Sequence, residues 1–393
     1  MRKYVLFAFL IAVVNLFAGQ RYTVIISLDG CRWDYPEIFN TPFLDSLGRE
    51  GVKAIMRPSF PSKTFPNHYT LATGLVPDHH GIIANSFYDI DSGRRYNISD
   101  SKTKNDPSFY KGEPIWLTAK RQGVKVGVVY WPGSDVPIQG AYPDYYHDYN
   151  ARPLLSFPER VAEVERLMKL PETERPRLVM AYFHEPDYSG HKFGPTSKRT
   201  KAAVESLDRL LEMLYKDLRS LPYGKDINFI VTSDHGMTST STERMIYIFN
   251  YLDKDWYERI DTSLPTLIFP KKGHEKDILK ALEDVPNMKV WPREKVPAYL
   301  RYGSNKNVAP IVVLPDVGWV VTKSGRTAHG GHGFDPTAAD MNVLFRAAGP
   351  DFKKGYVKPT LFDNTSIYPI LCRLIGIVPA PCDGEVVDDL MNN

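Results

Sequence analysis

Asp29, the pair Asp187 and His191 in DYSGH, the dipeptide Asp234-His235 in SDHGM, and His332 in HGGHGFD carry the carboxylates and imidazoles that hold divalent cations. Thr64, in SKTFPN, carries a hydroxyl that could serve as a nucleophile. Carboxylates brought to one place repel and shift each other's pKa values, so such a cluster needs neutralising cations. A mixed imidazole and carboxylate shell suits zinc best, and manganese or iron less well. The chemistry on offer is a metal-activated hydroxyl attacking an electrophile.

The spacing refines this. Asp187 and His191 lie four residues apart, and Gly190 permits a tight bend that would let both reach one ion. Asp234 and His235 are adjacent, so their side chains diverge unless the backbone turns sharply, which Gly236 permits. Within HGGHGFD the candidate is His332 rather than His329, because Gly331 and Gly333 flank it; His329 is left to an outer position. His68, His79, His80, His147, His184 and His274 read as surface or packing residues. Any one of these signals is weak, since a strand-end aspartate ordinarily caps a helix or forms a turn. Their joint occurrence is what carries the reading.

Thr64 has two readings. Pro66 is placed to open a helix at Asn67, and Thr64 could merely cap it. The same helix end would stabilise an alkoxide, and a nearby metal would lower the threonine pKa further. Given the candidate ligands elsewhere in the chain, the nucleophile reading is preferred.

These residues need a frame that brings distant segments together. Tyr22 to Leu28, Val124 to Tyr130, Leu178 to Phe183, Ile227 to Thr232 and Val343 to Ala347 are short runs rich in β-branched and aromatic residues. They do not alternate, which is the pattern of strands covered on both faces. Helix patterns lie between them at Thr41 to Gly51, Asn67 to Thr73, Pro114 to Gln122, Pro158 to Leu170 and Thr196 to Leu221. The alternation predicts an α/β fold with a mainly parallel central sheet and helices on both faces. In such sheets ligands bind beyond the carboxyl ends of the strands, where Asp29, Asp187 and Asp234 follow theirs.

From 243 to 323 the texture changes to short strands, one helix and many lysines and prolines, which predicts an inserted α+β lobe. The core would then comprise residues 21–242 and 324–393. Residues 1–20 have a basic start, an apolar stretch from Tyr4 to Val14 and small residues at Ala18 and Gly19, the layout of a cleaved signal peptide. An exported protein, periplasmic or secreted, with no membrane span after cleavage is expected. Export permits a disulfide, and among three cysteines Cys372 and Cys382 are the pair placed to form it. A net charge of +3 over 393 residues, without a basic run, argues against a nucleic-acid-binding module.

Taken together, PSKTFPNHYTLATGL, GIIANSFYD, YWPGSD, EPDYSGHKFGP, SDHGM and HGGHGFDP resemble the motifs of the nucleotide pyrophosphatase/phosphodiesterase family of the alkaline phosphatase superfamily. They occur in that family's order across nearly the whole mature chain. The resemblance implies two Zn2+ ions, one held by Asp187, His191 and His332, the other by Asp29, Asp234, His235 and the Thr64 oxygen. It also implies that Thr64 forms a phosphothreonine intermediate, that Asn85 binds a phosphoryl oxygen, and that Phe65 and Tyr182 sandwich a nucleobase. The expected substrate is a small phosphodiester or nucleotide. A choline-phosphate or phospholipid diesterase of the same fold is the alternative, with Trp131 and Asp135 available for a choline cage. A non-catalytic binding protein would be expected to lack a ligand or the nucleophile, and none is missing.

Overall fold

The computed structural model describes residues 20–392; the signal-peptide reading of residues 1–20 lies almost wholly outside them. The elements that place the site are β1 (Tyr22–Leu28), α1 (Pro42–Glu50), β2 (Val52–Arg57), α2 (Thr64–Thr73), α3 (Ile115–Arg121), β3 (Val126–Val129), α4 (Phe157–Met168), β4 (Leu178–Phe183), α5 (Asp187–Phe193), α6 (Lys198–Arg219), β5 (Ile227–Thr232), β6 (Val343–Ala348) and α7 (Ile367–Ile375). Among the described residues the main sheet has nine strands. Its central order is β2, β6, β5, β1, β4, β3, with Tyr145–Tyr146 on one edge and Tyr356–Val357 and Phe362–Asp363 beside β2. β6 runs antiparallel to β2 and β5, while the other pairings are parallel.

Both faces of the sheet are covered, as the non-alternating strands require. Ile25 of β1 packs with α2, α3 and α7, whereas Val24 and Ile26 pack with α1, α4 and α6. Side chains satisfy the first amides of two of the helices. Ser156 and Glu159 form a reciprocal capping box at α4. Asp208 of α6 accepts from the amides of Phe43 and Leu44, capping α1 from a distance.

β2 is the strand the sequence reading passed over. Its burial alternates, because Val52, Ala54 and Met56 face the core while Lys53, Ile55 and Arg57 lie on a less covered face, so it lacks the continuous apolar run of its neighbours. A separate antiparallel sheet forms from Tyr257–Asp261, Thr266–Pro270, Ile311–Pro315 and Met288–Pro292, with the helix Glu275–Leu282 packed on it. No helix among the described residues is long and apolar enough to cross a membrane.

The expected Cys372 to Cys382 bond is not formed, and all three cysteines are free. Cys372 sits on the buried face of α7, while the Cys382 thiol donates to the Gly384 carbonyl oxygen, 3.4 Å away.

Candidate active site

The parallel strands end level with one another. Leu28 pairs with Phe183 and Ser27 with Thr232, so the segments after β1, β4 and β5 leave the sheet side by side. The Asp29 amide donates to the Phe183 carbonyl and the Asp187 amide to the Asp29 carbonyl, both at 2.9 Å. Asp234 Oδ1 accepts from the Gly30 amide at 3.2 Å. Because β6 runs the other way, the chain entering it arrives at this same edge and delivers His332.

Asp187 and His191 do not straddle a bend. They lie on the first two turns of α5, where a spacing of four puts both on one face. Gly190 instead makes room for Met237, which lies 3.1 Å from where a β-carbon would stand. The sharp turn after Asp234 is present, and Gly236 permits it by passing tightly against the Asp340 backbone.

The six candidate ligands form two groups able to hold a metal ion: Asp187, His191 and His332, and Asp29, Asp234 and His235. In each group the ligand atoms lie within 4.8 Å of one another. Every imidazole is oriented by a backbone carbonyl. His191 Nδ1 donates to Gly330 O at 2.7 Å, His235 Nδ1 to Gly236 O at 2.8 Å, and His332 Nδ1 to Ser62 O at 2.9 Å. A carbonyl can only accept, so each Nδ1 carries the proton and each Nε2 offers its lone pair inward. His191 Nε2 and His332 Nε2 then face each other at 3.1 Å, an arrangement that calls for a cation between or beside them.

The carboxylates make the same demand. Among the described residues, Asp29 Oδ1, Asp187 Oδ1 and Asp234 Oδ2 are buried and have no hydrogen-bond partner. Burial, followed by the charges of Asp234 and Asp187, raises the Asp29 pKa well above the usual carboxylate range. Burial also lifts Asp234 to about 7 and raises Asp187. His235 and His332 are pushed well below the ordinary imidazole value, again by burial first. The donor set therefore fits divalent metal ions, whose charge would favour the ionised carboxylates and neutral imidazoles that ligation requires.

Thr64 is the first residue of α2, so the helix starts three residues before the expected Asn67. Pro66 is tolerated in this first turn because the opening amides have no intrahelical partner to lose. Thr64 makes no side-chain cap; its Oγ1 lies 3.2 Å from His235 Nε2. Asn85 stands beside it, its Oδ1 accepting from the Phe65 amide at 3.1 Å, which leaves the Asn85 amide nitrogen as a donor.

A cavity of about 250 Å³ opens next to Thr64 and Asp29. Phe65, Trp131, Tyr149 and Tyr182 line it together with Lys104 and Asp135. Tyr182 is at the cavity as expected, yet its hydroxyl is committed to Asp29 Oδ2 at 2.6 Å and its ring stands at a right angle to His68. Lys104 Nζ lies 3.4 Å from Asp135 Oδ2. Tyr149 and Lys104 carry no sequence signal for the site, and His68 reads from sequence as a surface or packing residue. For His68 a signal existed, since it follows Thr64 by four residues in a helical pattern. Burial lowers its pKa to about 4 and keeps it neutral.

The sheet, the helix-borne threonine and the paired Asp/His groups at its carboxyl edge define an alkaline phosphatase-like α/β protein. The family model described as type I phosphodiesterase / nucleotide pyrophosphatase matches residues 23–335, and the chain belongs to that family. It is 35% identical over 403 residues to human ectonucleotide pyrophosphatase/phosphodiesterase family member 5, covering 100% of this chain and 83% of that relative. The bovine bis(5'-adenosyl)-triphosphatase ENPP4 is 35% identical, with 92% of this chain and 79% of the relative covered. Bovine family member 3 is 34% identical, but the chain spans only 43% of its length. The solved structure of murine member 5 superposes with a TM-score of 0.89 at 36% identity, covering 95% of this chain and all of that one. An inactive threonine-to-alanine variant of that murine protein, in complex with AMP, superposes equally well.

Proposed function

We propose that the protein is an exported two-zinc phosphodiesterase and nucleotide pyrophosphatase that works through a covalent phosphothreonine on Thr64. The observation that carries this reading is an uncapped threonine hydroxyl, 3.2 Å from His235 Nε2, beside three buried carboxylate oxygens without partners. Asp187, His191 and His332 would hold one ion, and Asp29, Asp234, His235 and the Thr64 oxygen the other. Bound there, zinc would neutralise the carboxylates, lower the threonine pKa and offset charge on the leaving oxygen.

The chain's own residues do the rest. Thr64 Oγ1 gives its proton to solvent and attacks phosphorus, forming the Oγ–P bond, while the leaving oxygen departs with the electrons of the bond it breaks and takes up a proton from solvent. Water then attacks the phosphothreonine, releases the phosphate product and restores the hydroxyl. The Asn85 amide nitrogen is placed to donate to a phosphoryl oxygen, and the α2 amino end adds its dipole. His191, His235 and His332 keep their ligand tautomers through their carbonyl partners. On this reading residues 243–323 act as a lobe walling the site, with Leu264 packed against Phe334 and Met341.

Two observations favour a nucleotide-type diester that yields a nucleoside 5'-monophosphate. Among the described residues no arginine lines the cavity to clamp the extra charge of a monoester, and its walls are aromatic with a polar end. The choline alternative is weakened because Lys104 sits against Asp135, so the carboxylate a quaternary ammonium needs already faces a cation. Export is supported by the layout of residues 1–20 and by relatives named as ectonucleotide enzymes.

The deciding experiment compares wild type and Thr64→Ala on p-nitrophenyl thymidine 5'-monophosphate, with zinc content measured in both. The variant should keep two zinc ions and lose at least about a thousandfold in turnover. Undiminished turnover would end the threonine mechanism, and a wild type that cleaves p-nitrophenyl phosphate as fast as the diester would overturn the diester assignment.

A further inference from the structure

One buried side chain meets the nucleophile, a candidate metal ligand and the cavity wall at once. His68 lies one turn after Thr64 on α2 and is fully buried. Its Nδ1 is 3.0 Å from the Thr64 carbonyl oxygen and 3.3 Å from Asp234 Oδ2. Its Nε2 is 2.9 Å from Ser27 Oγ on β1. The Thr64 carbonyl can only accept, so Nδ1 carries the proton and the Ser27 hydroxyl donates to Nε2. On the other side the Trp131 indole donates to the His68 carbonyl at 3.0 Å. The Trp131 and Tyr182 rings stand edge-on to the imidazole, their centroids 5.2 and 5.0 Å away.

We propose that His68 is a positioning residue whose Nδ1–H, bonded to the Thr64 carbonyl and 3.3 Å from the Asp234 Oδ2 that also faces His235 Nε2, fixes the nucleophile relative to its metal ligand. Asn85 Oδ1 takes the Phe65 amide at the start of α2, and the His68 imidazole ties the Thr64 carbonyl in the same turn. A helix start carrying a nucleophile would otherwise fray, and small displacements of an attacking atom cost rate steeply. Trp131 and Tyr182, which stand edge-on to the imidazole, both line the cavity. His68 touches neither substrate nor reacting atoms. Its role rests on the phosphodiesterase reading given above.

The chemistry of the two ring nitrogens supplies the test. Asparagine places its amide nitrogen two bonds from Cβ, where Nδ1 stands, whereas glutamine places its own three bonds away, where Nε2 stands. His68→Asn and His68→Gln are therefore compared as full-length protein, by zinc affinity from chelator competition, by kcat and KM on p-nitrophenyl thymidine 5'-monophosphate, and by melting temperature. His68→Asn should stay within about threefold of wild type in zinc affinity and kcat. His68→Gln should lose about ten- to a hundredfold in both, with KM and the melting temperature of the metal-free protein unchanged. Equal losses in the two variants, no loss in either, greater loss in the asparagine variant, or losses that track that metal-free melting temperature would each overturn the proposal. A wild type without turnover would overturn the phosphodiesterase reading instead, and the zinc measurements would still decide for or against His68.

Discussion

At the scale of single residues, burial leaves the imidazoles neutral, the form that ligates, and favours the protonated form of the carboxyls, which a bound cation would oppose. Asp29 and Asp234 are raised, chiefly by burial, and Asp234 reaches about 7. A carboxyl must lose its proton to ligate, so below about pH 7 protons compete for Asp234 and zinc affinity weakens as pH falls. The decline should approach about tenfold per pH unit for each proton displaced, and binding near neutral pH should release protons. Titration calorimetry in buffers of different ionisation enthalpy checks this, and affinity that is flat between pH 8 and 6 would count against zinc at the Asp234 group. The residue scale is also where sequence reasoning was least complete. Tyr182 was read as a stacking surface, but its hydroxyl reaches Asp29. A pattern of residue types reveals which groups are present; it does not reveal where a hydroxyl points.

At the scale of elements, the ligands are delivered by ordinary pieces whose ends coincide. α5 puts Asp187 and His191 on one face, and the short strand Gly330–Gly331 packs against it closely enough that a β-carbon on Gly330 would collide with the Gly190 carbonyl. The Gly330 carbonyl also holds His191 Nδ1 at 2.7 Å. Gly330→Ala should therefore separate these elements, weakening zinc binding by about tenfold or more and lowering stability by about 1–3 kcal/mol. Chelator competition and denaturant unfolding read both effects, and wild-type behaviour in both would show that the contact yields cheaply. Helix α2 shows why an element boundary was misread by three residues. Proline at Pro66 reads as a helix opener, but the first turn accepts proline at more than one position because its amides are unbonded.

At the scale of the whole molecule, the ligands come from segments separated by as much as 303 positions, from Asp29 to His332, and bound ions would tie them together. Removing the metal should leave crowded buried carboxyls and facing imidazoles, so exhaustive chelation should lower the thermal midpoint by several degrees and zinc should restore it. A midpoint indifferent to both would mean that the fold does not depend on the ions. Much of this architecture was legible in sequence. β1, β4 and β5 appear at the expected residues because a strand covered on both faces must be continuously apolar, and that pattern is local. The chain by itself thus determined the α/β alternation, the residue types able to hold metal, and the threonine among them. Tertiary structure alone decided the reversed direction of β6, the tautomer of each histidine, the commitment of Tyr182 to Asp29 and the place of His68 between Thr64 and Asp234. Those features depend on hydrogen bonds between segments far apart in the chain, and no local pattern of hydrophobicity or spacing encodes them.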